Sequence, residues 1–139
     1  MQILSALFVE SFEFRQVEGP STRIDLRGAY FSTAVSSLPV TLEPHLIVLI
    51  RCAADESGSD ALEVVFRRDG EEIARNRQPV MIEPGKFGYQ LVKGELEFAE
   101  SGTVEAHCKL ADESAGPVIV PLTVLPPVQP VRPRDAGSG

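Results

Sequence analysis

The sequence predicts an all-β protein, a two-sheet antiparallel sandwich of seven to eight strands, and three observations carry that expectation. Short apolar or alternating runs recur along the chain with turn residues between them. Asp69-Gly70 falls between two such runs, and this dipeptide suits the positive backbone angles of a tight hairpin. No segment keeps a 3.6-residue apolar period for three turns. With 139 residues and 43% hydrophobic content, the chain is long enough for one domain with a real core and short for two.

The strands follow in order. "QILSALFV" comes first, then "RIDLRGAYF", in which Arg23, Asp25 and Arg27 alternate with Ile24 and Leu26, the period of a half-buried strand. "SSLPVTLEP" reads as a connection carrying two prolines. "HLIVLIRC" is apolar on both faces, so it belongs at the centre of a sheet or under a cover. "ALEVVFRRDGEEIARN" is the hairpin, and after the loop "RQPVMIEPGKFG" come "YQLVKGELEF", "TVEAHCKL" and "VIVPLTVLP". In this order and spacing the runs match an immunoglobulin-like sandwich over residues 1–125. From Pro126 the composition turns to "PPVQPVRPRDAGSG", and residues 126–139 read as a disordered proline-rich tail. Its PxxP spacings, Pro127 to Pro130 and Pro130 to Pro133, are those of a segment able to dock as a polyproline helix, although an extended solvated tail is the plainer reading.

Charge and composition set several functions aside. A formal charge of −7 repels a phosphate backbone, so no nucleic-acid partner is expected. With no tryptophan and two tyrosines, neither an aromatic cage nor a base-stacking platform is advertised. No apolar run reaches the length of a membrane span, and no membrane partner is expected. The apolar stretch from Ile3 to Val9 lacks a preceding positive charge and a small-residue cleavage site, which predicts a first strand rather than a signal peptide and a cytoplasmic setting.

Cys52 closes "HLIVLIRC" and Cys108 lies in "TVEAHCKL", on strands that this type of sandwich brings face to face. Alternation puts Val104, Ala106, Cys108 and Leu110 on the inward face, opposite Glu105, His107 and Lys109. A Cys52–Cys108 disulfide is geometrically plausible. The cytoplasmic reading and the missing core tryptophan favour two buried reduced thiols.

Chemistry is sparse. A four-ligand zinc site would need His45, Cys52, His107 and Cys108 together, yet His107 and Cys108 are adjacent on one strand and face opposite ways. Glu105, His107 and Lys109 share a face that reads as solvated, and no nucleophile elbow, phosphate loop or metalloprotease helix motif is present. No catalytic residue and no cofactor are therefore expected. "CAADES" and "CKLADES" place Asp55 and Glu56, and Asp112 and Glu113, in loops at the same end of the sandwich, with Asp60 nearby. These carboxylates are a candidate calcium site, set against a plain pair of solvated turns.

The order "RIDLRGAYF", "SSLPVTLEPHL", an apolar strand, a DG hairpin, "SGTVEAHCKL" and a final "PLTV" resembles a widespread group of short bacterial proteins known as a domain of unknown function. The resemblance spans about residues 1–125 and implies a β-sandwich in a bacterial cytoplasm, with no functional residues to carry over. The longer first connection, Arg15 through Ser21, and the cysteine pair depart from that group.

The functional expectation is a non-enzymatic protein-interaction or assembly module, with a protein partner or self-association. Ile47 and Leu49 lie opposite Val48 and Ile50, and the first strand is similarly two-faced, so an outer surface needs covering by another segment or another chain. The alternative is ion or ligand binding at the acidic loops.

Overall fold

The computed structural model describes residues 1–19, 21, 23–112 and 116–127. Among them are eleven strands and no helix: β1 (Gln2–Arg15), β2 (Arg23–Ala29), β3 (Ser32–Thr33), β4 (Val40–Leu42), β5 (His45–Arg51), β6 (Ser59–Arg68), β7 (Glu71–Met81), β8 (Phe87–Lys93), β9 (Leu96–Phe98), β10 (Gly102–Leu110) and β11 (Val118–Val124). They form a four-stranded sheet, β2-β1-β5-β8, a five-stranded sheet, β3-β11-β10-β6-β7, and a two-stranded sheet, β4-β9. The chain is thus an all-β domain of sandwich-like character. The proline-rich segment 128–139 lies outside the described residues.

Period-two alternation builds the core. Phe8, Leu46, Val48, Ile50 and Val92 face inward from the four-stranded sheet, and Leu62, Val64, Phe66, Val104, Ala106 and Leu122 face them from the five-stranded one. Leu96 and Phe98 of β9 close one end of the same cluster. On β10 the alternation holds residue by residue: Val104, Ala106, Cys108 and Leu110 are fully buried, with Glu105 and Lys109 exposed between them. The β6–β7 hairpin turns on Asp69 at φ 50° and Gly70 at φ 82°, the two successive left-handed residues that a two-residue turn requires.

The strand count exceeds the expected seven to eight, and the reasons are local. β3, β4 and β9 are two or three residues long, too short to display a period. β4 lies inside the proline-bearing connection, and pairs Val40 with Phe98 and Leu42 with Leu96. β7 runs on through Pro79 to Met81, a stretch that reads as loop in the sequence. It is the end strand of its sheet, where a proline's missing N–H is tolerated.

The chain passes between the two sheets at both long sides of the sandwich. On one side the backbone crosses between sheets: the Tyr30 N–H donates to the Phe8 carbonyl, and two residues later β3 pairs in parallel with β11. On the other side residues 82–86 carry the chain from β7 to β8, with the Ile82 N–H donating to the Gly58 carbonyl and the Cys52 N–H donating to the Lys86 carbonyl. Side chains bridge the two strands further along. Gln78 Nε2 donates to the Leu91 carbonyl at 3.2 Å, and Gln90 Nε2 donates to Gln78 Oε1 at 2.7 Å and to the Pro79 carbonyl at 3.2 Å.

Candidate functional site

The outer face of the four-stranded sheet is apolar, and the chain folds part of itself over it. β1 pairs with β5 through Val9↔His45 and with β2 from Val9↔Ala29 onward, so its distal half and β2 form a two-stranded ribbon beyond β5. The register passes from Val9↔Ala29 to Ser11↔Arg27 and is interrupted at Glu10 and Gly28, with Gly28 at φ 63°. A Cβ there would sit 2.6 Å from the Glu10 side chain, so glycine permits both the backbone angle and the close approach.

Beyond this kink the ribbon lies on the outer face. Phe12 meets the His45 ring edge-on at 5.2 Å between centroids, and Phe14 meets Tyr89 of β8 at 5.9 Å. Under it, Val9 and Ile47 are 0% and 2% exposed although neither belongs to the inter-sheet core. The covering segment that Ile47 calls for is thus in this chain. The cover is incomplete: Leu49 is 40% exposed, Phe14 54% and Phe87 68%, with half-buried Tyr89 and Leu91 among them. Phe12, Phe14 and Tyr89 were not singled out by sequence reasoning; the alternating aromatics of "SFEF" were the available signal. Arg15 and Asp25 pair across the ribbon, and the hydrogen bond from Arg15 holds the Asp25 carboxyl below the usual carboxylate range.

Across β10, β6 and β7 the outer face of the five-stranded sheet is a charge lattice instead. Register sets Lys109, Glu63 and Arg77 in one row, His107, Val65 and Arg75 in the next, and Glu105, Arg67 and Glu72 in the third. Glu63 Oε2 lies 3.1 Å from Arg75 and 3.8 Å from Arg77, and Arg75 also reaches Glu72 at 2.6 Å. His107 Nε2 is 3.4 Å from Glu105 Oε1, so the imidazole belongs to this lattice.

The acidic loops do share one end of the sandwich. β5 ends at Arg51, β6 begins at Ser59, and the Ala111 N–H donates to the Ala61 carbonyl, which brings the end of β10 to the start of β6. Two of their carboxylates are engaged, each with a different partner. Glu56 pairs with the Met1 ammonium and accepts the Ala53 N–H at 2.9 Å, and these two hydrogen bonds depress its pKa. Asp60 accepts the Ala61 N–H at 2.7 Å. Asp55 and Asp112 are exposed, and Glu113 lies outside the described residues. Among the described residues, no three His, Cys, Asp or Glu side chains group as metal ligands.

Cys52 and Cys108 are both free and buried in the core. Burial pushes the Cys108 thiol up to about 12. No helix among the described residues is long and apolar enough to cross a membrane. No protein-family model matches this chain, and no curated protein matches it.

Proposed function

We propose that this chain is a non-enzymatic protein-interaction module built on an immunoglobulin-like sandwich. The strand order supports the finer fold reading: β1-β5-β8 against β11-β10-β6-β7 follows the A-B-E against G-F-C-C′ arrangement, with β2, β3, β4 and β9 as additions. Two free, buried thiols support a reducing compartment.

The observation that carries the functional reading is the stripe Phe87, Tyr89, Leu49 and Phe14 on the outer face of the four-stranded sheet. Much of a solvated surface is apolar, but aromatic and leucine side chains gathered on one sheet face are the composition of an interface. Their neighbours Ile47 and Val9 are already sealed by the ribbon, so the stripe is the part of that face left for another chain.

The test compares wild type with Leu49→Asp/Phe87→Asp, both positions being exposed, in affinity capture from the cells that carry the gene and in light scattering of the purified chain. A stoichiometric partner, or a dimer, that the double variant loses is the expected result. A wild-type monomer that retains no partner would sink the reading.

A further inference from the structure

The end of the sandwich closed by β4 and β9 holds a groove of about 460 Å³, lined by Thr41 of β4, Arg68 at the end of β6, Ile73 of β7, and Glu95, Leu96 and Glu97 at β9. Two open strand edges border it. Among the described residues, β7 and β9 each have a hydrogen-bonded neighbour strand on one side only. A sheet edge with no neighbour presents main-chain donors and acceptors to whatever extended chain arrives.

Here a side chain occupies such a position: Arg68 reaches the groove, and its Nη2 donates to the Glu97 carbonyl at 2.6 Å. The same guanidinium lies 4.8 Å above the Phe98 ring, which fixes it at the groove wall. Ile73, 40% exposed and the extra residue where the β6–β7 register shifts, offers an apolar seat on β7.

We propose that this groove receives an extended, basic segment of a protein partner, added as a strand between β7 and β9. The charge of the site selects the sign. Glu95 and Glu97 line the groove, and Asp69 and Glu100 line a cleft of about 260 Å³ that shares Arg68 with it. None of these four carboxylates enters an ion pair among the described residues. Main-chain pairing to the edges supplies attachment, an apolar residue over Ile73 supplies register, and lysine or arginine on alternate positions meets the carboxylates. The proposal rests on the interaction reading above but uses a different surface, on the five-stranded sheet's end strand rather than on the aromatic stripe.

The probe is a fluorescein-labelled nonapeptide of alternating valine and lysine or arginine, titrated against the full chain by anisotropy at low salt, beside a version with glutamate at the basic positions. Binding of the basic peptide alone is expected. Glu95→Lys/Glu97→Lys weakens it by about tenfold or more, whereas an equal charge change outside the groove, Glu83→Lys/Glu105→Lys, alters it by less than about threefold. Amide exchange at Leu96–Phe98 and at Ile73 slows in the bound state. Equal weakening by the two reversals would show attraction to the whole acidic protein and overturn the site, as would unchanged exchange. Binding seen only after residues 128–139 are removed would assign the groove to the chain's own C-terminal segment and sink the separate partner. Should the peptide fail while a partner held by the aromatic stripe still binds Glu95→Lys/Glu97→Lys, the groove falls and the interaction module stands.

Discussion

The outer faces of the two main sheets solve the same problem in opposite ways. On the five-stranded sheet, cross-strand rows of opposite charge flank Val65, which is 6% exposed beneath the stems of its neighbours, while Ile119 and Met81 stand exposed at the margins of the rows. On the four-stranded sheet, Val9 and Ile47 are buried by a piece of backbone, the ribbon of β1 and β2, brought back over the sheet at Gly28. A surface covered by flexible charged stems needs nothing else. A surface covered by a narrow ribbon is covered only where the ribbon lies, and the remainder, Leu49 and Phe87 above all, stays open. The difference teaches where to look for a partner: the face whose apolar residues outrun their own cover.

Mutations measure how unequal the two faces are. Ile47→Ala should cost about 2–5 kcal/mol in urea unfolding, the range for truncating a buried isoleucine. A loss below about 1 kcal/mol would mean that the ribbon stands off the sheet in solution. Next in size is a pH effect rooted on the inner face both sheets share. The Cys108 thiol is raised to about 12 in the fold and returns to the ordinary range near 9 on unfolding. Between those values the unfolded chain sheds a proton that the folded chain keeps. Stability is unaffected by this group below about pH 9, and it falls as pH rises further by at most about 1.4 kcal/mol per unit. Denaturation curves of wild type and Cys108→Ala across pH 8–11 test the sign, since the alkaline slope should be shallower in the variant.

Gly28→Ala addresses the ribbon directly. A side chain at φ 63° costs about 1–2 kcal/mol, and the added methyl must also displace the Glu10 carboxylate. The Phe12 and Phe14 ring resonances should shift toward exposed values together with the loss of stability; unchanged rings would show that the kink is not the ribbon's hinge. The smallest effect belongs to the charge lattice. Arg77→Ala and Lys109→Ala should each change stability by less than about 0.5 kcal/mol and become indistinguishable from wild type at high salt, because exposed pairs are screened. A loss of 2 kcal/mol or so at either position would break the comparison.

Residues whose role depends on period alone were legible in the sequence. The inward row of Val104, Ala106, Cys108 and Leu110, and the Asp69-Gly70 hairpin, follow from alternation and turn chemistry. The need for a cover over Ile47 was also legible, because an apolar residue on the second face of a strand must go somewhere. What supplies the cover was not. Alternation assigns Phe12 and Phe14 to one face of β1 and is blind to the ribbon bending after Val9, since the bend lies in the backbone of Gly28, a residue that reads equally well as a strand end. The groove between β7 and β9 was invisible for a related reason. It is made by two edges distant in sequence, and one of them is a three-residue strand set off from β8 by Gly94 and Glu95.

The joints between the sheets stitch the domain along both of its long margins. Where residues 30–33 pass from one sheet to the other, separation would tear main-chain hydrogen bonds on both sides of a single stretch of backbone. Along β7 and β8 the same separation would break main-chain bonds as well, because residues 82–86 carry the chain between the sheets. There the Ile82 N–H donates to the Gly58 carbonyl and the Cys52 N–H to the Lys86 carbonyl, beside the bonds of Gln78 and Gln90. The sandwich is therefore sewn along both margins, and opening it on either side costs backbone hydrogen bonds. The margin of β7 and β8 adjoins the groove at Ile73 and the stripe at Tyr89. A chain arriving at either surface would meet a border already sewn shut.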